Sequence, residues 1–259
     1  MEIYEWCVRI LSADSLEEKL LNPPILTDFT LHPPLLWDSP TRPTGMEFQR
    51  HTKEHKLPPF EELHKPDKRA ICLHRFAGHE LLAVEMMAYA LLAFPKAPKH
   101  FRRGLANTLK EEQGHVRLYQ QRLLEMGVQF GDMPLYKHFW THTKFLTSPI
   151  EYLSIVSLTF EMANLDFAPF YHKAFSKHGD DSSAFLMNKI LEDEIGHVSF
   201  GMHWLNKFKD PNTSSWDSWR NSVPELLPVK RSRGSVFFEE HRKNAGIPDD
   251  WILKIKQSR

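Results

Sequence analysis

A helical hairpin that occurs twice is the feature that most constrains how this sequence can fold. Four long segments show helical periodicity between start and stop residues, at about residues 66–94, 98–127, 148–179 and 182–209. Glu161 follows Glu80 by 81 residues, and Glu194 follows Glu112 by 82. Because the two offsets nearly agree, we interpret the second pair of segments as a duplicate of the first.

Each hairpin carries one Glu-x-x-His motif on its second predicted helix. Glu112 and His115 form the first motif, and Glu194 and His197 form the second. Residues three apart share a helix face, and both motifs lie within an apolar stripe that should face the core. Burying a carboxylate without a partner costs several kcal/mol, so acids repeated on a core face predict a bound cation.

The first helix of each hairpin adds a single glutamate, Glu80 in HELLAVEMMA and Glu161 in FEMANLDFA. Two single glutamates and two Glu-x-x-His pairs around one centre are the known ligand arrangement of ferritin-like di-iron and di-manganese proteins. The sequence therefore predicts an all-α, ferritin-like four-helix bundle that binds two metal ions. The six predicted ligands are Glu80, Glu112, His115, Glu161, Glu194 and His197.

Carboxylate and imidazole ligands favour iron, with manganese or a mixed manganese and iron pair as alternatives. We predict no organic cofactor site and assign no catalytic residue. Glu85 and Asp166 recur five residues after Glu80 and Glu161, and we interpret them as surface acids or hydrogen-bond partners of the ligands, or as an inter-hairpin hydrogen bond. His74, His79 and His203 are kept out of the ligand set as packing or hydrogen-bonding residues.

The chain divides into three predicted parts. Residues 1–65 form an N-terminal arm packed on the bundle, residues 66–210 form the bundle, and residues 211–259 form an extension of short helices. Prolines make the arm mostly irregular, apart from a helix that begins with the capping box Ser15 to Glu18. The apolar residues Leu31, Leu35, Leu36 and Trp37 are expected to pack the arm against the bundle.

Composition excludes several classes of protein. Lys+Arg and Asp+Glu both number 33, so no excess of positive charge indicates a nucleic acid or an anionic membrane. Cys7 and Cys72 are the only cysteines, too few for a disulfide framework or a four-thiolate iron centre. The N-terminal sequence lacks the pattern of an export signal, and the apolar stretch 81–95 is interrupted by Glu85. We expect a cytoplasmic protein with no membrane partner.

The chain resembles a bacterial ferritin-like family, domain of unknown function 455. The matching stretches are HRFAGHELLAVEMMAYALLAFPKAPKHFRRGLANTLKEEQGHVRLYQQRLLEMG, GDMPL, YLSIVSLTFEMANLDFAPFY and ILEDEIGHVSFG, within about residues 67–209. More distantly, it is similar to the di-iron hydroxylases that modify isopentenylated adenosine in tRNA. These resemblances imply a ferritin-like bundle with a two-metal centre and assign no substrate.

A di-iron site of this kind predicts an O2-dependent oxygenase or hydroxylase, and we lean towards an enzyme of this oxidoreductase type. Its substrate would be a small molecule or, through the distant resemblance, tRNA. An external electron donor is expected, because the chain has neither a Gly-rich dinucleotide loop nor a cysteine cluster. The alternatives are a ferroxidase, peroxide-removing or other metal-handling protein, and a metal-free helical scaffold. A homodimer is a further candidate assembly.

Overall fold

The computed structural model describes residues 1–50 and 56–258. All the regular secondary structure elements in those residues are helices, and the only β pairing among them is two isolated bridges. The all-α class predicted from the sequence is confirmed. The chain forms two compact units, Met1–Thr143 and Lys144–Arg259.

The first unit is built around a hairpin of two long helices. Its helices are α1 (Ile3–Ser12), α2 (Leu16–Lys19), α3 (Pro66–Ala93) and α4 (Lys99–Glu125), with short 3-10 turns at Phe60–Glu62 and Trp140–Phe145. Pro66 occupies the first turn of α3, where its missing amide costs nothing. After α4, Gly127 adopts the left-handed conformation that ends many helices, with φ of 75°.

The N-terminal arm is more ordered than its prolines suggested. The predicted helix start at Ser15 is confirmed, since the Glu18 amide donates to Ser15 Oγ at 3.3 Å as in an N-cap. Helix α1 was not predicted, although its buried residues follow helical spacing and pack it on α3. The expected packing is wrong for Leu31 and Leu36, whose side chains are 98% and 68% exposed, whereas Leu35 and Trp37 are half-buried. The apolar face of α1 holds the start of the arm, and the Leu35 amide donates to the Leu92 carbonyl of α3 at 3.1 Å.

The second unit contains the other long hairpin and the short C-terminal helices. The hairpin consists of α5 (Pro149–Tyr152), a π-helical segment (Leu153–Glu161), α6 (Met162–Lys177) and α7 (Asp181–Phe208). The short helices α8 (Ser215–Asn221), α9 (Glu239–Asn244) and α10 (Asp249–Gln257) follow, with a 3-10 turn at Val229–Ser232. All four long helical regions match the predicted bounds to within two residues.

The π-helical segment was not expected from the sequence. Its widened turn is closed by the Met162 amide, which donates to the Ser157 carbonyl five residues earlier. A Cβ on Gly201 of α7 would lie 2.5 Å from the Ser157 side chain, so glycine permits this close packing. π-helical turns are rare and occur often at functional sites. Glu161, a predicted ligand, is the last residue of this segment.

Helix α3 is the most apolar long helix. It is long and apolar enough to cross a membrane, but 78% of its 18-residue apolar window is buried inside the protein. Such burial is typical of a core helix. No other helix among the described residues passes the same length and hydropathy test.

Candidate functional site

The first unit brings three of the predicted ligands together. Glu80 lies on α3, and Glu112 and His115 lie on α4, with exposures of 6%, 1% and 1%. His115 Nδ1 is 3.3 Å from Glu112 Oε2 and 4.0 Å from Glu80 Oε2. One ligand atom from each of the three lies within 4.8 Å of the others. The spacing on α4 and the hairpin packing thus produce one buried cluster of two carboxylates and an imidazole.

The second unit repeats this set on the equivalent helices. Glu161 lies at the end of the π-helical segment, and Glu194 and His197 lie on α7; all are at most 4% exposed. His197 Nδ1 is 3.8 Å from Glu194 Oε2, and ligand atoms of Glu161 and His197 lie within 4.8 Å. Asn164 Nδ2 donates to Glu194 Oε1 at 2.8 Å and orients that carboxylate. Asn164, which lies three residues after Glu161, was not predicted from the sequence.

The chemistry of these donors fits a divalent cation. Carboxylate oxygens and imidazole nitrogens suit iron or manganese. Each set of ligands supplies two carboxylates and one imidazole. Two carboxylates carry the charge that balances one divalent ion. Because the surrounding helix faces are apolar, a bound cation would offset the cost of burying these acids.

Glu85 is fully buried, so the interpretation of it as a surface acid is wrong. It binds two cations, Lys19 Nζ at 3.0 Å and Arg42 Nη2 at 2.5 Å. Lys19 is also fully buried and donates to the Ile10 carbonyl at 2.8 Å. Burial lowers the pKa of Lys19, and the charge of Glu85 opposes that shift. Glu85 therefore ties two points of the N-terminal arm to α3.

Asp166 likewise binds a cation inside its own unit, so neither a surface acid nor an inter-hairpin hydrogen bond describes it. Arg242 of α9 holds it with two bonds, Nη1 to Oδ1 at 2.7 Å and Nη2 to Oδ2 at 2.8 Å. The amides of Gly234 and Phe238 donate to the same carboxylate at 2.9 and 2.7 Å. Asp166 and Arg242 are both almost completely buried.

The two acids occupy equivalent places in the duplicated hairpins. Each lies five residues after a predicted ligand, and each pairs with cations that lie outside the two hairpins. Removing one partner of an ion pair that is buried this deeply strongly destabilises the folded protein, because the other charge remains buried without compensation. The arm and the C-terminal extension are therefore structural parts of the units that carry the clusters.

The three neighbouring histidines make other contacts. His74 Nε2 accepts hydrogen bonds from the amides of Gly131 and Met133, at 2.9 and 3.3 Å. Burial, aided by the charge of Arg75, lowers the pKa of His74 to about 4, so His74 is neutral at pH 7. The His79 ring packs edge-on against two aromatic rings, and His203 lies beside Trp204.

Comparison with known proteins identifies a family. The family described as "Protein of unknown function (DUF455)" matches residues 8–253, which include most of the arm and the C-terminal extension as well as both hairpins. An uncharacterized protein of Haemophilus influenzae is 29% identical over 203 residues, covering 73% of this chain and 69% of that protein. No solved structure matches the chain significantly. The chain therefore belongs to the DUF455 family of proteins of unknown function.

Proposed function

We propose that the two buried clusters together bind two metal ions, with iron as the first candidate and manganese or a mixed pair as alternatives. The observation that carries this proposal is that each unit contains the same set, a glutamate facing a Glu-x-x-His pair on the next helix. The proposed fold is a ferritin-like four-helix bundle that consists of the two duplicated hairpins.

Charge supports two divalent ions. The clusters contain four carboxylates, Glu80, Glu112, Glu161 and Glu194, whose four negative charges would balance two divalent cations. His115 and His197 would each hold one ion through a neutral imidazole, and Asn164 would keep Glu194 in its ligating orientation. The apolar helix faces around these residues exclude water, which strengthens every charge interaction within the site.

We further propose an O2-dependent oxidoreductase acting on an organic substrate, of the oxygenase or hydroxylase type. A pair of ferrous ions, when bound, supplies the electrons and the binding site for O2 that this chemistry requires. The chain's own residues bind and balance the metals, exclude water and allow the carboxylates to follow changes in metal charge. A small-molecule substrate is favoured over tRNA because the net charge of the chain is zero. The electron donor would be a separate protein or small molecule.

The reaction with O2 tests the oxygenase proposal. Protein loaded with two equivalents of ferrous iron under anaerobic conditions should consume O2 rapidly on mixing. The Glu112→Ala variant should lose this reaction, whereas Glu111→Ala, on the exposed face one residue earlier, should retain it. Wild-type protein that holds ferrous iron but leaves O2 untouched would contradict an oxygenase. Release of ferric iron as mineral would instead indicate a ferroxidase.

Loading with manganese tests whether the clusters form one centre. Two manganese ions held close together in one centre would couple magnetically, so electron paramagnetic resonance should then show a spin-coupled spectrum. The double variant Glu194→Ala/His197→Ala, which removes two of the three ligands of the second cluster, should leave the spectrum of an isolated ion. Isolated-ion spectra in the wild type at full loading would mean that each unit binds its metal separately.

A further inference from the structure

Part of the N-terminal arm, residues 25–36, lies at the end of the first hairpin, where α3 meets α4. Arg102, in the first turn of α4, holds Asp28 of the arm with two bonds of 2.9 Å. The Leu35 amide donates to the carbonyl of Leu92, in the last turn of α3, at 3.1 Å. Asp28 is the only acid of residues 25–36, and Arg102 balances its charge. The segment therefore crosses from the start of α4 to the end of α3.

Several apolar side chains of this segment project into solvent. Four of them are at least 68% exposed, and we call these the apolar tip: Ile25, Phe29, Leu31 and Leu36. The most exposed, Leu31, contacts almost nothing of its own chain. Single exposed apolar residues are normal on a protein surface, but a group of them on one short segment is typical of an interaction site.

The backbone that carries the apolar tip is held by the start of the chain. The Glu2 carboxylate accepts hydrogen bonds from the amides of Phe29 and Thr30, both at 2.8 Å, and from the Thr27 hydroxyl. The Ile3 amide of α1 donates to the Thr27 carbonyl at 2.8 Å. Because this backbone is fixed before any partner binds, little backbone entropy is lost when the apolar tip is buried.

Basic residues border the apolar tip. Residues 86–110, at the end of α3 and the start of α4, contain no acidic residue. The exposed basic residues of this stretch are Lys96, Lys99 and Arg103. Lys99 Nζ lies 5.4 Å from the centre of the Phe29 ring, and Arg103, four residues later, shares the same face of α4. Exposed apolar groups and exposed positive charges thus occur side by side.

We propose that the apolar tip and these basic residues bind the protein reversibly to the surface of a membrane that contains anionic lipids. Anionic headgroups would attract Lys96, Lys99 and Arg103, and the apolar tip would enter the boundary between headgroups and acyl chains. Charge complementarity favours this occupant over a second copy of the chain, because a symmetric contact would bring each basic surface against its own copy. A lipid surface also accepts projecting side chains without a matching groove.

This proposal departs from the expectation of no membrane partner. That expectation rested on the net charge of the whole chain, which is zero although residues 86–110 carry only positive charges. None of the predicted metal ligands belongs to the apolar tip or to its basic border. Membrane binding can therefore fail or hold independently of the proposed metal chemistry.

Flotation of the full chain with lipid vesicles tests the proposal. In about 100 mM salt the protein should bind vesicles of phosphatidylcholine that contain about 30% phosphatidylglycerol, an anionic lipid. It should bind vesicles of phosphatidylcholine alone at least about tenfold more weakly, because these lack the negative surface potential. Raising the salt to about 500 mM should also weaken binding to the anionic vesicles, because salt screens exposed charges.

Two double variants separate the apolar and the charged contributions. Phe29→Ser/Leu31→Ser should weaken binding to the anionic vesicles at least about tenfold. Its matched control is Leu118→Ser/Leu124→Ser, at exposed positions towards the far end of α4, which should change binding less than about twofold.

Lys99→Gln/Arg103→Gln should also weaken binding to the anionic vesicles at least about tenfold, since each basic residue near the surface contributes. The control Lys65→Gln/Lys137→Gln, at exposed positions of the same unit, should change it less than about twofold. All the substituted side chains are exposed, and circular dichroism checks that each variant is folded.

Wild-type protein that does not float with the anionic vesicles at about 1 mM lipid would overturn the proposal. Equal binding to vesicles with and without phosphatidylglycerol would overturn it as well, as would wild-type affinity in either Phe29→Ser/Leu31→Ser or Lys99→Gln/Arg103→Gln. A protein that ignores vesicles but forms a dimer in analytical ultracentrifugation, lost in Phe29→Ser/Leu31→Ser, would overturn it in favour of contact between two copies.

Discussion

Arg242→Met tests whether the C-terminal extension is a structural part of the second unit. The substitution keeps most of the side-chain length but removes the two bonds to Asp166 and the guanidinium contact with the Phe237 ring. It also removes the bonds that Arg242 donates to the carbonyls of Met162, Ser232 and Phe238. Two backbone amides, those of Gly234 and Phe238, remain as donors to the carboxylate. The carboxylate would stay 1% exposed without its cation, and such losses cost about 3–5 kcal/mol.

A loss of that size is a large share of the stability of the protein, since folded domains are stable by about 5–15 kcal/mol. Urea unfolding followed by circular dichroism measures it. Lys243→Met is the matched control, because Lys243 is 55% exposed and 3.9 Å from an exposed aspartate, so its loss should cost less than about 1 kcal/mol. The loss in the free energy of unfolding should therefore be several-fold larger for Arg242→Met than for Lys243→Met.

A second variant isolates the charge. Asp166→Asn combined with Arg242→Met removes the unpaired charge while the asparagine oxygen still accepts from a backbone amide. The double variant should therefore be more stable than Arg242→Met alone. Arg242→Met with a loss no larger than that of Lys243→Met would refute the reasoning, as would a double variant less stable than the single one.

Three further predictions concern stability and pH. Glu85→Gln removes the negative charge that stabilises the charged form of the buried Lys19, so the pKa of Lys19 should fall further. The unfolded variant then binds more protons than the folded variant, so its free energy of unfolding should rise with pH more than that of the wild type. In urea unfolding, the difference in stability between variant and wild type should therefore be smaller at pH 9 than at pH 7. The pKa of His74 is lowered to about 4 in the folded protein, against about 6.5 in the unfolded chain, so neutral His74 stabilises the fold above pH 6.5 and this stabilisation is lost as pH falls towards 4. In His74→Gln, the decrease in the free energy of unfolding between pH 6.5 and pH 4 should be smaller by up to about 3 kcal/mol. Gly201→Ala should destabilise the protein by about 1–3 kcal/mol, because its Cβ would meet Ser157, whereas Gly196→Ala, with open space around it, should be neutral or stabilising by up to about 1 kcal/mol in thermal unfolding.

The long helices and the two clusters could be predicted from the sequence because their signals are local. Helical periodicity, stop residues and the Glu-x-x-His spacing can each be recognised within a single helix. The repeat of the hairpin then indicates which helices pair. Helix α1 was missed although its buried residues follow the same periodicity. Because prolines recur through the rest of the arm, the sequence predicted only one helix there, the one that begins at Ser15.

The partners of Glu85 and Asp166 could not be predicted, because they are distant in sequence. Arg42 lies 43 residues before Glu85, and Arg242 lies 76 residues after Asp166, and no local pattern links them. The sequence did contain a signal that these acids are buried, because each is an acid within an apolar run, five residues after a predicted ligand in both hairpins. The π-helical segment packs Ser157 closely against Gly201, another contact between residues distant in sequence that no local pattern indicates.

Metal content per chain tests the central claim most directly. Protein purified without chelator should contain about two iron or manganese ions per chain, one for each cluster of two carboxylates and an imidazole. The double variant Glu112→Ala/Glu194→Ala should lose them, and the control Glu111→Ala/Glu192→Ala, at exposed positions on the same two helices, should keep them. Wild-type protein without metal, even after loading with ferrous iron, or a Glu112→Ala/Glu194→Ala variant that retains full metal content, would contradict the account.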